Sequence, residues 1–275
     1  MKYIYNIIAM AFVGLAMLKP MVAVAADAEV TARACWEQGV EAYESRDYAS
    51  SIEAFEQVVA LGHVSAHLYY NLGNAYFKYG QQLVGEGLGE FSGGELGRAV
   101  LNYHRALKLN PAMEDAEYNL DLAKDYTNDT ESLPESFIAG LWVGLRNIMS
   151  INAWTIVSIV MLAVLFVLVI FYLLSDRVAV RKVSFFTALV LFICLILSTS
   201  LAVSSRRAML NDCRAVVVVA DITSVHASPD SNSKVIRQPS QGVTVSVGRE
   251  HGEWCEIVFA DGEKGWIRLS QIEKI

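Results

Sequence analysis

Few residues in this chain have the type and spacing that chemistry demands. The four cysteines, Cys35, Cys194, Cys213 and Cys255, include no C-x-x-C pair, so neither a zinc ribbon nor a dithiol redox motif is spelled out. Cys213 and Cys255 share the C-terminal segment and are the pair a disulfide would join outside the cytoplasm, subject to a Cα separation that sequence does not fix. His63 and His67 stand four apart, the spacing of one helix face, but a metal site takes more than two ligands. No nucleophile elbow, phosphate loop or metalloprotease signature occurs. Serine, histidine and aspartate are present, yet nothing orders them into a triad. No metal, cofactor or catalytic set is expected, and the chain reads as a binding protein rather than an enzyme.

The elements that would carry binding groups follow from composition. Of 275 residues, 54% are hydrophobic and only 19% charged, against about 25% charged in an average soluble domain. The apolar excess falls in three blocks, 3–26, 153–174 and 183–203. Charge is equally uneven. Residues 27–136 hold 19 acids against 7 bases, residues 137–210 hold six bases against one acid, and residues 211–275 hold nine acids against seven bases. An acidic soluble part beside a basic apolar part suits a membrane protein. It argues against nucleic acid as a partner, which needs a basic footprint.

Lys2 followed by an uncharged run from Tyr3 to Leu18, then Ala23-Val24-Ala25, has the layout of a secretory signal peptide over 1–25. An uncleaved anchor is the alternative. The stretch after it, 27–133, shows a repeat. Tyr69-Tyr70-Asn71-Leu72-Gly73-Asn74-Ala75-Tyr76-Phe77 resembles the first helix of a tetratricopeptide repeat, and Gly73 lies 34 residues after Gly39, the period of that repeat. The second helix of the first unit starts at Asp47-Tyr48 and carries Ile52, Phe55 and Val58. That of the second carries Ala99, Tyr103, Ala106 and Leu107 before Asn110-Pro111.

Ser51 and Ala99 are equivalent but 48 apart, so 14 extra residues, 81–94 with five glycines, read as an insertion in the turn of the second unit. Glu114 to about Tyr126 reads as a capping helix. Stacked units bury what one unit cannot. The tetratricopeptide resemblance implies a concave peptide-binding face with Asn71, Asn74, Lys78 and Asn119; the alternative is that the asparagines only tie helices together.

After Pro134, apolar residues from Phe137 to Met149 fall at helical spacing, so 134–151 reads as an amphipathic helix in the membrane interface or as the start of the first span. Segments 152–174 and 183–203 are each long enough to cross ~30 Å of hydrocarbon, and neither contains Asp, Glu, Lys, Arg or His. Ion or proton transport usually needs such groups. The connection 175–182 carries Arg177, Arg181 and Lys182 against Asp176, as a cytoplasmic loop does. With export of the N-terminal part, both soluble parts then face the periplasm of a multi-pass inner-membrane protein.

Short strand runs in 211–275, split by Gly, Pro, Asp and Asn, read as a small all-β barrel. The order Ser228-Pro229-Asp230, Val235-Ile236, Gly242-Val243-Thr244-Val245, Glu253-Trp254 and Asp261-Gly262-Glu263-Lys264-Gly265-Trp266 resembles bacterial SH3 domains. Trp254 and Trp266 either line a groove or fill the core.

The fold class is therefore a multidomain membrane protein: an all-α tetratricopeptide solenoid, a two-helix transmembrane hairpin and an SH3-like barrel. This order resembles the BatE-type proteins of bacterial Bat aerotolerance operons. The resemblance implies protein partners of the MoxR-type ATPase and von Willebrand A kinds, and a link to oxidative or envelope stress. A scaffold for envelope proteins is the leading expectation, with a peptidoglycan-sensing SH3-like domain as the alternative.

Overall fold

The structure is a computed structural model that describes residues 29–85, 91, 93–127, 137–219 and 223–275. The signal peptide expected at 1–25 lies outside the described residues. Five helices come first: α1 (29–44), α2 (Tyr48–Ala60), α3 (Ala66–Gly85), α4 (Glu95–Leu109) and α5 (Glu114–Lys124). Asp47 caps α2 by accepting from the Ser50 amide at 3.1 Å, and the Ser65 hydroxyl accepts from the Leu68 amide at the start of α3. Both are short polar side chains placed where a helix has unmet N–H groups.

One packing arrangement occurs twice. A Cβ on Gly39 would lie 2.6 Å from the Phe55 ring, and one on Gly73 would lie 2.8 Å from the Tyr103 ring. Each glycine lets an aromatic of the following helix sit against its backbone, and Phe55 and Tyr103 are both buried. Ser51 of the first pair donates to the Gly39 carbonyl at 2.8 Å. Ala99, its equivalent in the second pair, is fully buried beside Gly73.

The segment 81–94, read as an insertion, is described in part. Residues 81–85 continue α3, because Gln81 to Val84 contain nothing that breaks a helix. Phe91 is buried, stacks on Phe77 with ring centroids 5.8 Å apart and meets Tyr126 edge-on. Phe91 therefore belongs to the helical core.

Next come α6 (Phe137–Asn147), α7 (Ile151–Leu174) and α8 (Val178–Leu210). α6 is a separate helix: the chain turns at 148–150, and Ser150 caps α7 by accepting from the Ala153 amide at 3.3 Å. Leu141, Ile148 and Met149 are exposed. α7 and α8 form a close antiparallel hairpin, and both are long and apolar enough to cross a membrane. α7 buries no side chain at all, so its apolar surface requires an apolar surrounding.

The connection is 175–177 rather than 175–182, and α8 runs past both ends of 183–203. Arg181 and Lys182 are good helix formers, and the Arg181 guanidinium lies over the Tyr172 ring at 5.3 Å. At 33 residues α8 is about 50 Å long, longer than a ~30 Å hydrocarbon layer is thick. Within the hairpin, the Ser158 and Ser198 hydroxyls bond at 2.8 Å.

The C-terminal part is an antiparallel sheet of seven strands: β1 (Arg214–Val217), β2 (Val225–His226), β3 (Val235–Arg237), β4 (Thr244–His251), β5 (Trp254–Val258), β6 (Lys264–Arg268) and β7 (Ile272–Lys274), in the order β3-β2-β6-β5-β4-β1-β7. Alternation sends Cys255 and Ile257 of β5 and Ile267 of β6 inward, where they join Val225, Val245 and Phe259.

The expected closed barrel is instead an open sheet, with no ladder between β3 and β7. The edge strand β7 is occupied differently. Arg105 of α4 donates to the Lys274 carbonyl at 2.9 Å and Lys108 to the Ile275 carbonyl at 2.7 Å. Side chains of a helix thus protect an edge that a barrel would have paired.

α4 also joins the helices to the sheet. Val216 of β1 points away from the sheet core into the helical core, so β1 is buried on both faces. A Cβ on Gly97 would lie 2.5 Å from the Val217 carbonyl. Arg105 pairs with Glu273 at 2.7 Å. Helices and sheet therefore form one unit at the end of the hairpin where α7 begins and α8 ends.

Candidate functional site

The outward face of β5 and β6 gathers the side chains best suited to hold a ligand. Because residues alternate along a strand, burial of Cys255 and Ile257 obliges Trp254, Glu256 and Val258 to face outward. Trp266 does so between Gly265 and Ile267. Register then sets neighbours: Trp254 lies opposite Arg268, Glu256 opposite Trp266, and Trp266 opposite His226 of β2.

The Arg268 guanidinium sits over the Trp254 ring at 5.5 Å, and His226 meets that ring edge-on at 5.2 Å. Arg268 also donates to the Ser231 hydroxyl at 3.0 Å. His226 Nδ1 lies 3.1 Å from the Ser233 carbonyl. A carbonyl only accepts, so Nδ1 is the donor in this contact. Arg249 holds Glu256 through two contacts at 3.0 and 3.3 Å, and this hydrogen bonding keeps the Glu256 carboxyl below its usual range. Trp266 is half-buried on this outward face, on the groove side of the two alternatives the sequence left open. Ile257 and Ile267 fill the core.

The Asp261-Gly262-Glu263 turn is pinned by Arg237. Its guanidinium bonds Asp261 at 2.8 Å and lies 4.4 Å from the Phe259 ring centroid. The family comparison covers this region. Residues 219–274 match the bacterial SH3 domain family. No curated protein matches the chain. The SH3 domain match takes in β2 to β7, hence both tryptophans and the whole outward face, while β1 lies ahead of it.

The second candidate surface is on α3 and α5. Asn74 Oδ1 accepts from the Tyr103 hydroxyl at 2.9 Å and from Asn119 Nδ2 at 2.8 Å. Asn119 also reaches the Tyr70 hydroxyl at 3.5 Å. Asn74 and Asn119 are therefore engaged in tying three helices together. Lys78 is exposed and donates to Gln81 at 3.2 Å. Asn71 is half-buried on α3 and makes no hydrogen bond among the described residues. Of the four, Asn71 and Lys78 keep groups available to a partner.

Cys213 and Cys255 are separate thiols. Cys213 is exposed just before β1, whereas Cys255 points into the sheet core, so the possible pair is not joined in this structure. Burial raises the Cys255 thiol pKa, with the Glu250 carboxylate adding to it; such a thiol is inert. His63 lies in the turn before α3 and His67 within it, so they do not share a helix face. Among the described residues no cluster suits a metal ion.

Sequence reasoning missed His226, Arg268 and Ser231. A signal existed: once Trp254 and Trp266 face outward, the period of two puts Arg268 on the same side as Trp266. It also missed His104 and Gly97 at the helix–sheet contact, for which the chain gives no local mark.

Proposed function

We propose that the chain is a non-enzymatic scaffold anchored in the bacterial inner membrane. Its tetratricopeptide-like helices and its SH3 domain, both on the periplasmic side, dock protein partners in a Bat-type aerotolerance or envelope-stress complex. The observation that carries this reading is the packing of α4 on β1. It sets the α3 surface and the outward SH3 face on a single body at one end of an apolar hairpin. The repeated Gly39–Phe55 and Gly73–Tyr103 contacts support the tetratricopeptide reading. Two recognition surfaces on one anchor raise the effective concentration of one partner for another.

Peptidoglycan is the second reading, and the Trp254–His226–Arg268 group favours it. Aromatic faces cover sugar rings, and a guanidinium matches the carboxylates of a wall peptide. The test uses the full chain in its native membrane, with photo-crosslinking side chains at Asn71 and Trp254. The scaffold reading expects discrete protein adducts from both positions. No protein adduct from either position overturns it. Sedimentation of the detergent-solubilised full chain with wall sacculi, abolished by Trp254→Ala, would establish the second reading instead.

A further inference from the structure

A cavity of about 590 Å³ lies where the helices, the hairpin and β1 meet, within the ~300–1,000 Å³ of small-molecule sites. Its wall changes character from one side to the other. Toward the hairpin, Val143, Ile151, Ala208 and Met209 extend the apolar surface of α6, α7 and α8. Toward the soluble unit, Lys108, Lys124, Arg146 and Arg214 supply cations from four elements, and Glu117, Asp121 and Asp212 supply carboxylates.

Asp212 is already engaged. It accepts two bonds from Arg214 at 2.9 Å and lies 4.0 Å from Lys108. Burial pushes its carboxyl up, but Arg214 outweighs that and holds it below its usual range. Lys124 and Arg146, each in the last turn of its helix, form no ion pair among the described residues. Ser205 also lines the cavity. It is only 7% exposed, and its hydroxyl has no hydrogen-bond partner among the described residues. A buried hydroxyl left unmet calls for a partner.

We infer that this cavity holds the headgroup of an aminophospholipid from the leaflet facing the soluble domains. Its phosphate lies toward Lys124, Arg146 and the Ser205 hydroxyl, and its ammonium toward Glu117 and Asp121. A free phosphate shares the anion chemistry, but neither the apolar wall nor the two carboxylates serves it. An acyl glycerol leaving the cavity along Ile151 and Met209 enters the layer that surrounds α7 and α8. The inference rests on the membrane placement of the hairpin and is independent of the scaffold role.

The test is native mass spectrometry of the delipidated full chain in detergent, titrated with phosphatidylethanolamine, phosphatidylglycerol or inorganic phosphate. One phosphatidylethanolamine should stay bound at collision energies that strip the other lipids. Its retention should fall at least tenfold in the Lys124→Gln/Arg146→Gln variant. Ser205→Leu, which occupies the cavity without removing charge, should lower it as well. Arg177→Gln/Arg181→Gln, at the opposite end of the hairpin, should leave it unchanged.

Thermal transitions of all variants identify any that fail to fold. Retention equal to wild type in both cavity variants overturns the proposal. So does equal retention of phosphatidylglycerol, or displacement of the lipid by equimolar inorganic phosphate. Loss of the chain from carbonate-washed membranes would overturn the membrane placement instead.

Discussion

His104 shows how a single side chain records the fusion of helices and sheet. It belongs to α4, is buried, and its Nε2 lies 3.3 Å from the Thr244 hydroxyl of β4. Burial, helped by the nearby charges of Arg214 and Lys124, lowers its pKa to about 3 from an ordinary 6.5. The folded chain therefore keeps His104 neutral, while the unfolded chain takes up a proton below pH 6.5. Its stabilising contribution is complete above that value and is lost as pH falls from 6.5 toward 3, amounting to about 2 kcal/mol between pH 7 and pH 5. Urea unfolding in detergent should show this decline, and His104→Leu should flatten it. Trp254 makes the opposite case. It is half-exposed on the outward SH3 face, so Trp254→Ala should shift the melting temperature little while removing the ligand contact. A fall in stability as large as that of Ile257→Ala, a core truncation of about 2–5 kcal/mol, would return Trp254 to the core.

The helices test close packing at the level of elements. Gly39→Ala and Gly73→Ala each drive a methyl into a buried aromatic ring, and overpacking of this kind costs about 1–3 kcal/mol. Both should lower the unfolding midpoint, whereas Gly144→Ala on α6, with nothing within 4 Å of the added carbon, should not. An equal response from all three would remove the claim that two units share one packing rule. The paired glycines were legible in the sequence because the 34-residue spacing survives the longer turn that follows. The apolar spans were legible from length and composition, and the strands of the SH3 domain from turn residues between short runs. The limits of α8 were not, since helix continues through Arg181-Lys182 and Ser204-Ser205 without a local change of propensity. The open sheet was not legible either. Whether β7 meets β3 or receives Arg105 and Lys108 depends on a helix more than 150 residues away. The outward site was half legible: the two tryptophans were visible, but the register that adds His226 and Arg268 was not.

At the scale of the whole molecule, the α4–β1 contact and the apolar hairpin constrain one another. Gly97 backs onto Val217, Arg105 pairs with Glu273, and Lys108 holds the Ile275 carbonyl. Where the apolar hairpin crosses a bilayer, these contacts exist only if 29–127 and 214–275 lie on the same side of it. The short connection 175–177 then lies on the other. Single cysteines at Ser45, Asp176 and Ser270, in a background without native cysteines, read this directly with a membrane-impermeant thiol reagent. Ser45→Cys and Ser270→Cys should label together in intact spheroplasts, and Asp176→Cys only after permeabilisation. The outcomes bear on different claims. Labelling of position 176 alone would reverse the orientation yet leave the packing intact, because positions 45 and 270 would still behave alike. Unlike labelling of 45 and 270 would break the α4–β1 contact itself, and with it the single body on which the scaffold reading depends.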